Sequence, residues 1–195
     1  RIEGTNATQE VITTQESQQA ARQDTTSEQD TVAEQDTSTA TDQETATAAK
    51  QVDIADSITS VNMSAIINGE SVNISSSDIK VPRGAAVCIT VGYSNMQQIE
   101  EGSILYYQLP EQIKTSAQSG TLTEGEGEDK TTIGSITVSQ TGRVEISYTK
   151  DYIKKCGGMI LSGQFSVTGS FSESCGANGT EVLCFGQQEV TVNFK

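Results

Sequence analysis

The sequence predicts an all-β protein, an antiparallel β-sandwich of about nine strands that follows a disordered N-terminal arm. The composition changes near residue 57: no aromatic residue precedes Tyr93, and the first segment is built mostly from Thr, Gln, Glu, Ser, Ala and Asp. Beyond this change, short runs of Val, Ile, Tyr and Phe are interrupted by Gly and Asn, with turn signals roughly every 8–12 residues. Such spacing is typical of antiparallel sandwiches rather than of βαβ units.

Residues 1–57 form the predicted arm, and residues 58–195 form the predicted domain. The arm carries 12 acidic and 3 basic residues, which gives it −9 of the chain's net charge of −14. It repeats the tetrapeptide Glu-Gln-Asp-Thr at residues 28–31 and 34–37. Because so polar a segment cannot bury enough apolar surface to offset the conformational entropy lost on ordering, we expect it to be disordered.

Alternation of apolar and polar residues predicts the individual strands of the domain. The predicted strands span residues 58–67, 70–75, 87–92, 104–109, 132–139, 143–149, 159–171, 180–185 and 189–194. The dipeptide Asn68-Gly69, between the first two strands, is a strong signal for a two-residue hairpin turn. Residues 119–130, rich in Gly and acidic side chains, are predicted to form a loop, and residues 151–155 one helical turn.

The four cysteines are predicted to form two disulfides. An even number of cysteines in a secreted chain favours disulfide bonds, and four cysteines allow three connectivities. Cys175 and Cys184 flank a short Gly-rich loop, which makes them the preferred pair and leaves Cys88 with Cys156. The alternative is a cytoplasmic protein with four reduced thiols.

Catalytic and cofactor-dependent functions are not indicated. The chain contains no His, so the commonest general base is missing, and no Cys-x-x-Cys pair offers zinc-ligand spacing. We therefore expect a non-enzyme with no cofactor and no metal. Residues 124–129 could bind Ca²⁺ through carboxylates, but they lack EF-hand spacing, and a solvated acidic loop is favoured.

Charge and hydropathy also limit the partners. A net charge of −14 repels nucleic acid, so we expect no nucleic-acid partner. No apolar run reaches the roughly 18 residues that a membrane-spanning helix needs, so we expect no membrane insertion by this chain. We expect a monomer.

The tyrosines are the best candidates for ligand contact, because a tyrosine side chain combines a large rigid ring with a polar tip. The candidate residues are Tyr93, Tyr106, Tyr107, Tyr148 and Tyr152. Adjacent Tyr106 and Tyr107 must point to opposite faces of their strand, so one should lie in the core and the other should be half-exposed. The alternative is that all five are packing residues.

Several segments occur in an order that resembles a known family. Residues 80–87 read Lys-Val-Pro-Arg-Gly-Ala-Ala-Val, and residues 101–113 contain paired tyrosines followed by Leu109-Pro110. Residues 133–136 read Ile-Gly-Ser-Ile, and residues 162–167 read Ser-Gly-Gln-Phe-Ser-Val. This order resembles the first immunoglobulin-like subdomain in the ligand-binding region of Gram-positive collagen-adhesin-type surface proteins, the MSCRAMM family.

The resemblance implies an immunoglobulin-like sandwich that acts as an adhesin on a bacterial cell surface and binds a host extracellular-matrix or plasma protein. It implies a secreted protein, anchored in the cell wall through a C-terminal region absent from this chain. An immunoglobulin-like stalk or pilus domain that displays another binding module is the alternative. The family often carries Lys–Asn isopeptide bonds, for which Lys80 and Asn193 are candidates, although an ordinary surface lysine and strand asparagine is the favoured interpretation.

Overall fold

The computed structural model describes residues 7–9, 48–75 and 78–195. These residues are mostly in β-strands, with one α-helix and several antiparallel sheets, so the predicted all-β class is confirmed. The elements are β1 (Ala7–Gln9), β2 (Gln51–Asp53), β3 (Ile58–Ile67), β4 (Glu70–Asn73), β5 (Lys80–Val81), β6 (Ala86–Met96), β7 (Ile104–Gln108), β8 (Ile113–Lys114), β9 (Gln118–Glu124), β10 (Thr131–Val138), β11 (Arg143–Tyr148), α1 (Lys150–Cys156), β12 (Ile160–Phe171), β13 (Thr180–Phe185) and β14 (Gln188–Phe194). Most of the arm that is predicted to be disordered, residues 1–6 and 10–47, lies outside the described residues.

The strands form three sheets. The largest has the order β1-β9-β10-β11-β7-β2, the second has the order β4-β3-β6-β12-β8, and the smallest has the order β13-β14-β5. Neighbouring strands are antiparallel except for β2 with β7 and β5 with β14, which are parallel. The longest ladder joins β6 and β12, from the Ile160–Met96 pair to the Ser170–Ala86 pair.

Each of the nine predicted strands coincides with an observed strand. The predicted hairpin is also confirmed, because β3 and β4 pair antiparallel across Asn68 and Gly69. These two residues have φ angles of 53° and 82°. Positive φ at both central positions is what a type I′ hairpin turn requires, and Asn-Gly adopts it at low cost.

The predicted helical turn at 151–155 is confirmed as part of α1. The helix begins after Thr149, whose Oγ1 accepts a hydrogen bond from the Tyr152 backbone N–H at 3.3 Å, which satisfies one of the unpaired donors of the first turn. Gly157, with a φ of 64°, ends the helix in the left-handed conformation. Among the described residues, no helix is both long and apolar enough to cross a membrane.

The sequence does not predict five of the observed strands: β1, β2, β5, β8 and β9. The loop predicted at 119–130 is wrong for residues 119–124, which lie in β9 and pair with β10. This strand is polar, with Leu122 as its one large aliphatic residue, so its pairing depends on neighbouring strands rather than on its own pattern. In addition, β2 lies inside the predicted arm and pairs with β7, so β structure begins before residue 58.

All three sheets contribute to one hydrophobic cluster. Alternate residues of the strands face this cluster, for example Ile89 and Val91 of β6, Val144 and Ile146 of β11, and Leu183 and Phe185 of β13. Burial of such a side chain stabilises the fold by about 1.5–3 kcal/mol. The smallest sheet is joined to β12 by an edge-to-face contact between Phe171 and Phe194, whose ring centroids are 5.1 Å apart.

Neither predicted disulfide is present, because all four cysteines are free. Cys175 is buried, and its thiol lies 3.6 Å from the Gln112 carbonyl oxygen. Cys184 alternates along β13 with the buried Leu183 and Phe185, so its side chain points to solvent. The Cys175 thiol is therefore buried while the Cys184 thiol faces solvent, and the two do not form a disulfide.

The two cysteines of the second predicted pair, Cys88 and Cys156, lie far apart along the direction of strand β6. Ile160, four residues after Cys156, pairs with Met96. Met96 lies eight residues from Cys88 on β6, which is about 26 Å at the rise of a β-strand. A disulfide needs Cα atoms within about 7 Å of each other. The pairing of Cys88 with Cys156 is therefore wrong.

Lys80 and Asn193 are neighbours in the parallel pairing of β5 with β14. Lys80 is exposed, and the Asn193 side-chain oxygen accepts a hydrogen bond from the Thr180 hydroxyl at 3.1 Å. These surroundings fit an ordinary surface lysine and strand asparagine.

A single buried amide, that of Gln118 on β9, links the two larger sheets. Its Nε2 donates to the Thr168 carbonyl oxygen of β12 at 2.6 Å. Its Oε1 accepts from both the Thr168 N–H and the Thr168 hydroxyl at 3.1 Å. The side chain, 6% exposed, thus pairs with the edge of β12 as a backbone amide would.

Replacement of this amide should destabilise the fold. We expect Gln118→Ala to lower the free energy of unfolding by about 1–2 kcal/mol, because Thr168 loses three hydrogen bonds that water at this exposed residue replaces only in part. Gln164→Ala, at an exposed position of the same strand β12, is the matched control and should change stability by less than about 0.5 kcal/mol. Equal effects of the two substitutions in urea denaturation would contradict the assigned link.

Candidate functional site

Four of the five candidate tyrosines are buried, and one is half-exposed. The buried residues are Tyr93, Tyr107, Tyr148 and Tyr152. Tyr106 is half-exposed while Tyr107 is buried, so the expected split of this adjacent pair across the two faces of β7 is confirmed. Only Tyr106 and Tyr152 border surface features, whereas the other three pack in the core.

Strands β6 and β11 and helix α1 bring three of the tyrosines together. The hydroxyl groups of Tyr93 and Tyr148 are hydrogen-bonded to each other. The rings of Tyr148 and Tyr152 are stacked, with centroids 5.2 Å apart and an interplanar angle of 23°. This tyrosine cluster, Tyr93, Tyr148 and Tyr152, therefore connects both larger sheets to the helix through aromatic contact and one buried hydrogen bond.

Burial governs the ionisation of these phenols. Removal from water raises the pKa of Tyr93 and of Tyr148 well above the usual value, and the proximity of each hydroxyl to the other makes ionisation of Tyr148 harder still. Burial also raises the pKa of Tyr152, with a further contribution from the negative charge of Glu124. Away from the cluster, burial raises the pKa of Tyr107 to about 12. All four therefore stay neutral hydrogen-bonding groups at physiological pH.

We expect the free energy of unfolding to fall as the pH rises above about 10. Unfolded phenols lose their protons near this pH, whereas the buried ones keep theirs, so the folded state binds more protons and loses stability by about 1.4 kcal/mol per pH unit for each such tyrosine. Urea denaturation between about pH 9 and 11.5 measures the slope. In the Tyr93→Phe/Tyr148→Phe double variant, the fall of the unfolding free energy with pH should be less steep by the contributions of about two tyrosines. An equally steep fall in the variant and the wild type would contradict the conclusion that these two phenols stay protonated in the folded state.

Tyr152 of this cluster lines a surface cleft of about 250 Å³. Strands β9 and β10, helix α1 and its N-cap supply the lining, which consists of Glu124, Thr131, Thr132, Ile133, Thr149, Asp151, Tyr152 and Lys155. Hydroxyl groups, two carboxylates and one aromatic ring thus surround a space slightly smaller than that of a typical drug-sized ligand site. The cleft fits a single polar side chain or a similarly small group.

An ion pair crosses this cleft. The Lys155 ammonium lies 2.6 Å from Glu124 Oε2, and the Glu124 side chain is only 12% exposed. Each charge is therefore already compensated. The other acidic residues of the 124–129 segment, Glu126, Glu128 and Asp129, are exposed. In the part of the chain that the structure describes, no group of three or more His, Cys, Asp or Glu side chains could hold a metal ion.

A second candidate site lies on the outer face of the largest sheet, around Tyr106. The Arg143 guanidinium lies 4.3 Å from the centroid of the Tyr106 ring. Its Nε donates to Glu145 Oε1 at 2.9 Å, and its Nη2 donates to Gln51 Oε1 at 3.0 Å. The guanidinium is thus fixed at both ends, and the half-exposed ring beneath it is held by a cation–π contact.

Sequence reasoning identified Tyr106 but missed its neighbours. Arg143 and Glu145 are two residues apart on one strand, so they share a face, and Glu145 pairs directly with Tyr106. The alternation along residues 143–149 already places Arg143 and Glu145 on one face of their strand. Their position beside Tyr106 follows from the register between β11 and β7, which a single sequence does not specify.

The chain matches no protein-family model, no curated protein and no solved structure. The candidate sites are therefore interpreted from their own geometry. Of the two, the cleft at Tyr152 is small and its Glu124 carboxylate is paired with Lys155, whereas the face at Tyr106 is open and carries a half-exposed aromatic ring in contact with Arg143.

Proposed function

We propose that this chain is a non-catalytic adhesin domain of the bacterial cell surface that binds a host extracellular-matrix or plasma protein. We further propose that its two larger sheets form an immunoglobulin-like sandwich. The order of segments that resembles the MSCRAMM family supports both proposals. The single structural observation that carries the function is the half-exposed Tyr106 ring, held in place by Arg143 on an open sheet face.

A pre-ordered aromatic ring suits recognition of a macromolecule. Binding hot spots are enriched in Tyr and Arg, and a side chain that is already fixed loses little conformational entropy on binding. Arg143 contributes both a flat cationic surface and the restraint on the ring. A contact centred on Tyr106 would therefore combine apolar area with directional hydrogen bonds.

The surroundings of Tyr106 supply the polar rim that such an interface needs. One row of register partners crosses the sheet from Ser119 and Thr137 to Glu145, Tyr106 and Asp53. The row spans five strands, about 19 Å at the usual strand spacing. A face this wide and shallow fits a protein surface better than a small molecule.

The charge state of the cleft supports a binding role over a catalytic one. Glu124 and Lys155 are already paired with each other, so neither is available as a free general base or nucleophile. The chain also offers no His as a substitute. The four cysteines are free, as in the cytoplasmic alternative, so the proposed surface location rests on the family resemblance and not on disulfides.

Binding to immobilised host proteins tests the function. We expect the chain to bind at least one component of a panel of matrix and plasma proteins that includes collagen and fibrinogen. Tyr106→Ala should weaken that binding about tenfold or more, since truncation of a hot-spot tyrosine typically costs over 1.4 kcal/mol.

Leu161→Ala is the matched control, because Leu161 is a large exposed side chain on β12 of the second sheet, outside the row of residues around Tyr106. It should change affinity by less than about twofold. Absence of binding to every component would argue against the adhesin function. Binding that Tyr106→Ala leaves unchanged would argue against this face alone.

A further inference from the structure

The cleft beside Tyr152 contains a tyrosine hydroxyl that has no hydrogen-bond partner in the described part of the chain. Tyr152 is 9% exposed, and its ring is stacked on that of Tyr148. Its backbone N–H donates to Thr149, but no described residue is hydrogen-bonded to its hydroxyl. The hydroxyl of a buried tyrosine usually has a partner, because a buried polar group without one destabilises the fold. The Tyr152 hydroxyl is therefore available to a group that enters the cleft.

A carboxylate on the opposite side of the cleft also has unused hydrogen-bonding capacity. The Glu124 side chain is only 12% exposed, and the Lys155 ammonium contacts its Oε2. Its other oxygen, Oε1, has no hydrogen bond to any described residue. Because the charge of Glu124 helps to raise the pKa of Tyr152, the carboxylate and the phenol lie within electrostatic reach of each other. The cleft thus presents a phenol hydroxyl, a carboxylate oxygen and the remaining N–H groups of an ammonium.

A β-bulge in β10 shapes the rest of the cleft. The register of β10 against β9 shifts between Thr132 and Gly134, so Ile133 is an extra residue in the ladder. The Ile133 carbonyl oxygen accepts a hydrogen bond from the Thr149 N–H at 2.8 Å, which fixes the start of α1 beside the bulge. Bulges are common next to binding sites because they redirect side chains. Here the buried Ile133 adds an apolar wall, and the exposed Thr131 and Thr132 add hydroxyl groups.

The charges in the cleft favour a neutral ligand. A cation would have to compete with Lys155, which is part of the same chain and already contacts Glu124. An anion would face the carboxylates of Glu124 and Asp151. A neutral polar group, by contrast, can bond to both members of the ion pair without separating them.

We propose that this cleft binds a single neutral hexose, the terminal residue of a glycan. Adjacent hydroxyl groups of a sugar ring present a donor beside an acceptor, so that one donates to Glu124 Oε1 and the next accepts from the Lys155 ammonium. The Tyr152 hydroxyl bonds to a third oxygen of the sugar, and the C–H face of the ring packs on Ile133. The volume of about 250 Å³ has room for one such ring, and the open side of the cleft leaves the rest of the glycan in solvent.

This site is distinct from the proposed protein-binding face. The lining of the cleft includes neither Tyr106 nor Arg143, and the contact between these two residues includes no residue of the cleft. Loss of one binding activity therefore leaves the other intact. A chain with both would recognise a glycan and a protein surface separately.

Saturation-transfer NMR on the full chain tests the site, with the methyl glycosides of glucose, galactose, mannose and N-acetylglucosamine as probes. We expect at least one to bind with a dissociation constant in the millimolar range, as a small neutral ligand with few contacts does. It should bind as tightly as the corresponding free sugar, since a terminal residue is substituted at that position. Tyr152→Phe keeps the stacked ring and removes only the hydroxyl, so it should weaken binding about fivefold. Glu124→Gln should weaken binding about tenfold or more, because an amide is a weaker acceptor than a carboxylate.

Tyr107→Phe is the matched control, because it removes the hydroxyl of another buried tyrosine, which donates to the Cys184 carbonyl oxygen outside the cleft. This variant and Tyr106→Ala should leave the affinity for the glycoside within about twofold of the wild type. Tyr152→Phe should be at least as stable as the wild type in urea denaturation, since its hydroxyl has no partner among the described residues. The proposal is overturned if no glycoside binds, if Tyr152→Phe binds as tightly as the wild type, or if Tyr107→Phe weakens binding equally.

Discussion

The Tyr93 ring lies against the backbone of Gly163, and the arrangement of the two larger sheets depends on this contact. The two residues pair directly between β6 and β12. A Cβ atom at Gly163 would stand 2.5 Å from Tyr93 Cζ and 2.6 Å from its hydroxyl oxygen, so only glycine leaves room for the ring. Placed there, the Tyr93 hydroxyl meets that of Tyr148 on β11. One glycine thus allows an aromatic side chain of one sheet to bond with a side chain of the other.

The candidate sites differ in how they relate to this contact. The cleft depends on it, because Tyr148 carries the stacked ring of Tyr152, which forms a wall of the cleft. The Tyr106 face is built separately, from Arg143 and its hydrogen bonds on the outer side of the largest sheet. A buried hydrogen-bonded network holds the core in one arrangement, while the half-exposed Tyr106 ring lies outside it. Substitutions on the Tyr106 face should therefore affect the proposed binding without loss of the fold.

Local sequence patterns predicted most of the strands and the hairpin. The features that they did not predict depend on pairing between residues far apart in the sequence. Alternation predicted nine strands, and Asn68-Gly69 predicted the hairpin, because both signals act between near neighbours. Strand β9 was missed because a polar segment becomes a strand only beside β10. The link from Gln118 to Thr168 joins residues 50 positions apart, which no local pattern reveals. For Cys184 the sequence did hold the answer, since alternation with Leu183 and Phe185 turns its thiol outward, away from the buried Cys175.

The stability of Gly163→Ala, compared with that of Gly92→Ala, tests the dependence on the Tyr93 contact most directly. Both glycines lie within paired strands, but a Cβ atom at Gly92 would clash only with the Ser60 hydroxyl, which can rotate away, while its other neighbours stand at 3.6 Å or more. The account predicts that Gly163→Ala lowers the free energy of unfolding by about 1–3 kcal/mol, as overpacking in a core does, while Gly92→Ala leaves it within about 1 kcal/mol of the wild type. Equal stability of the two variants in urea denaturation would contradict it.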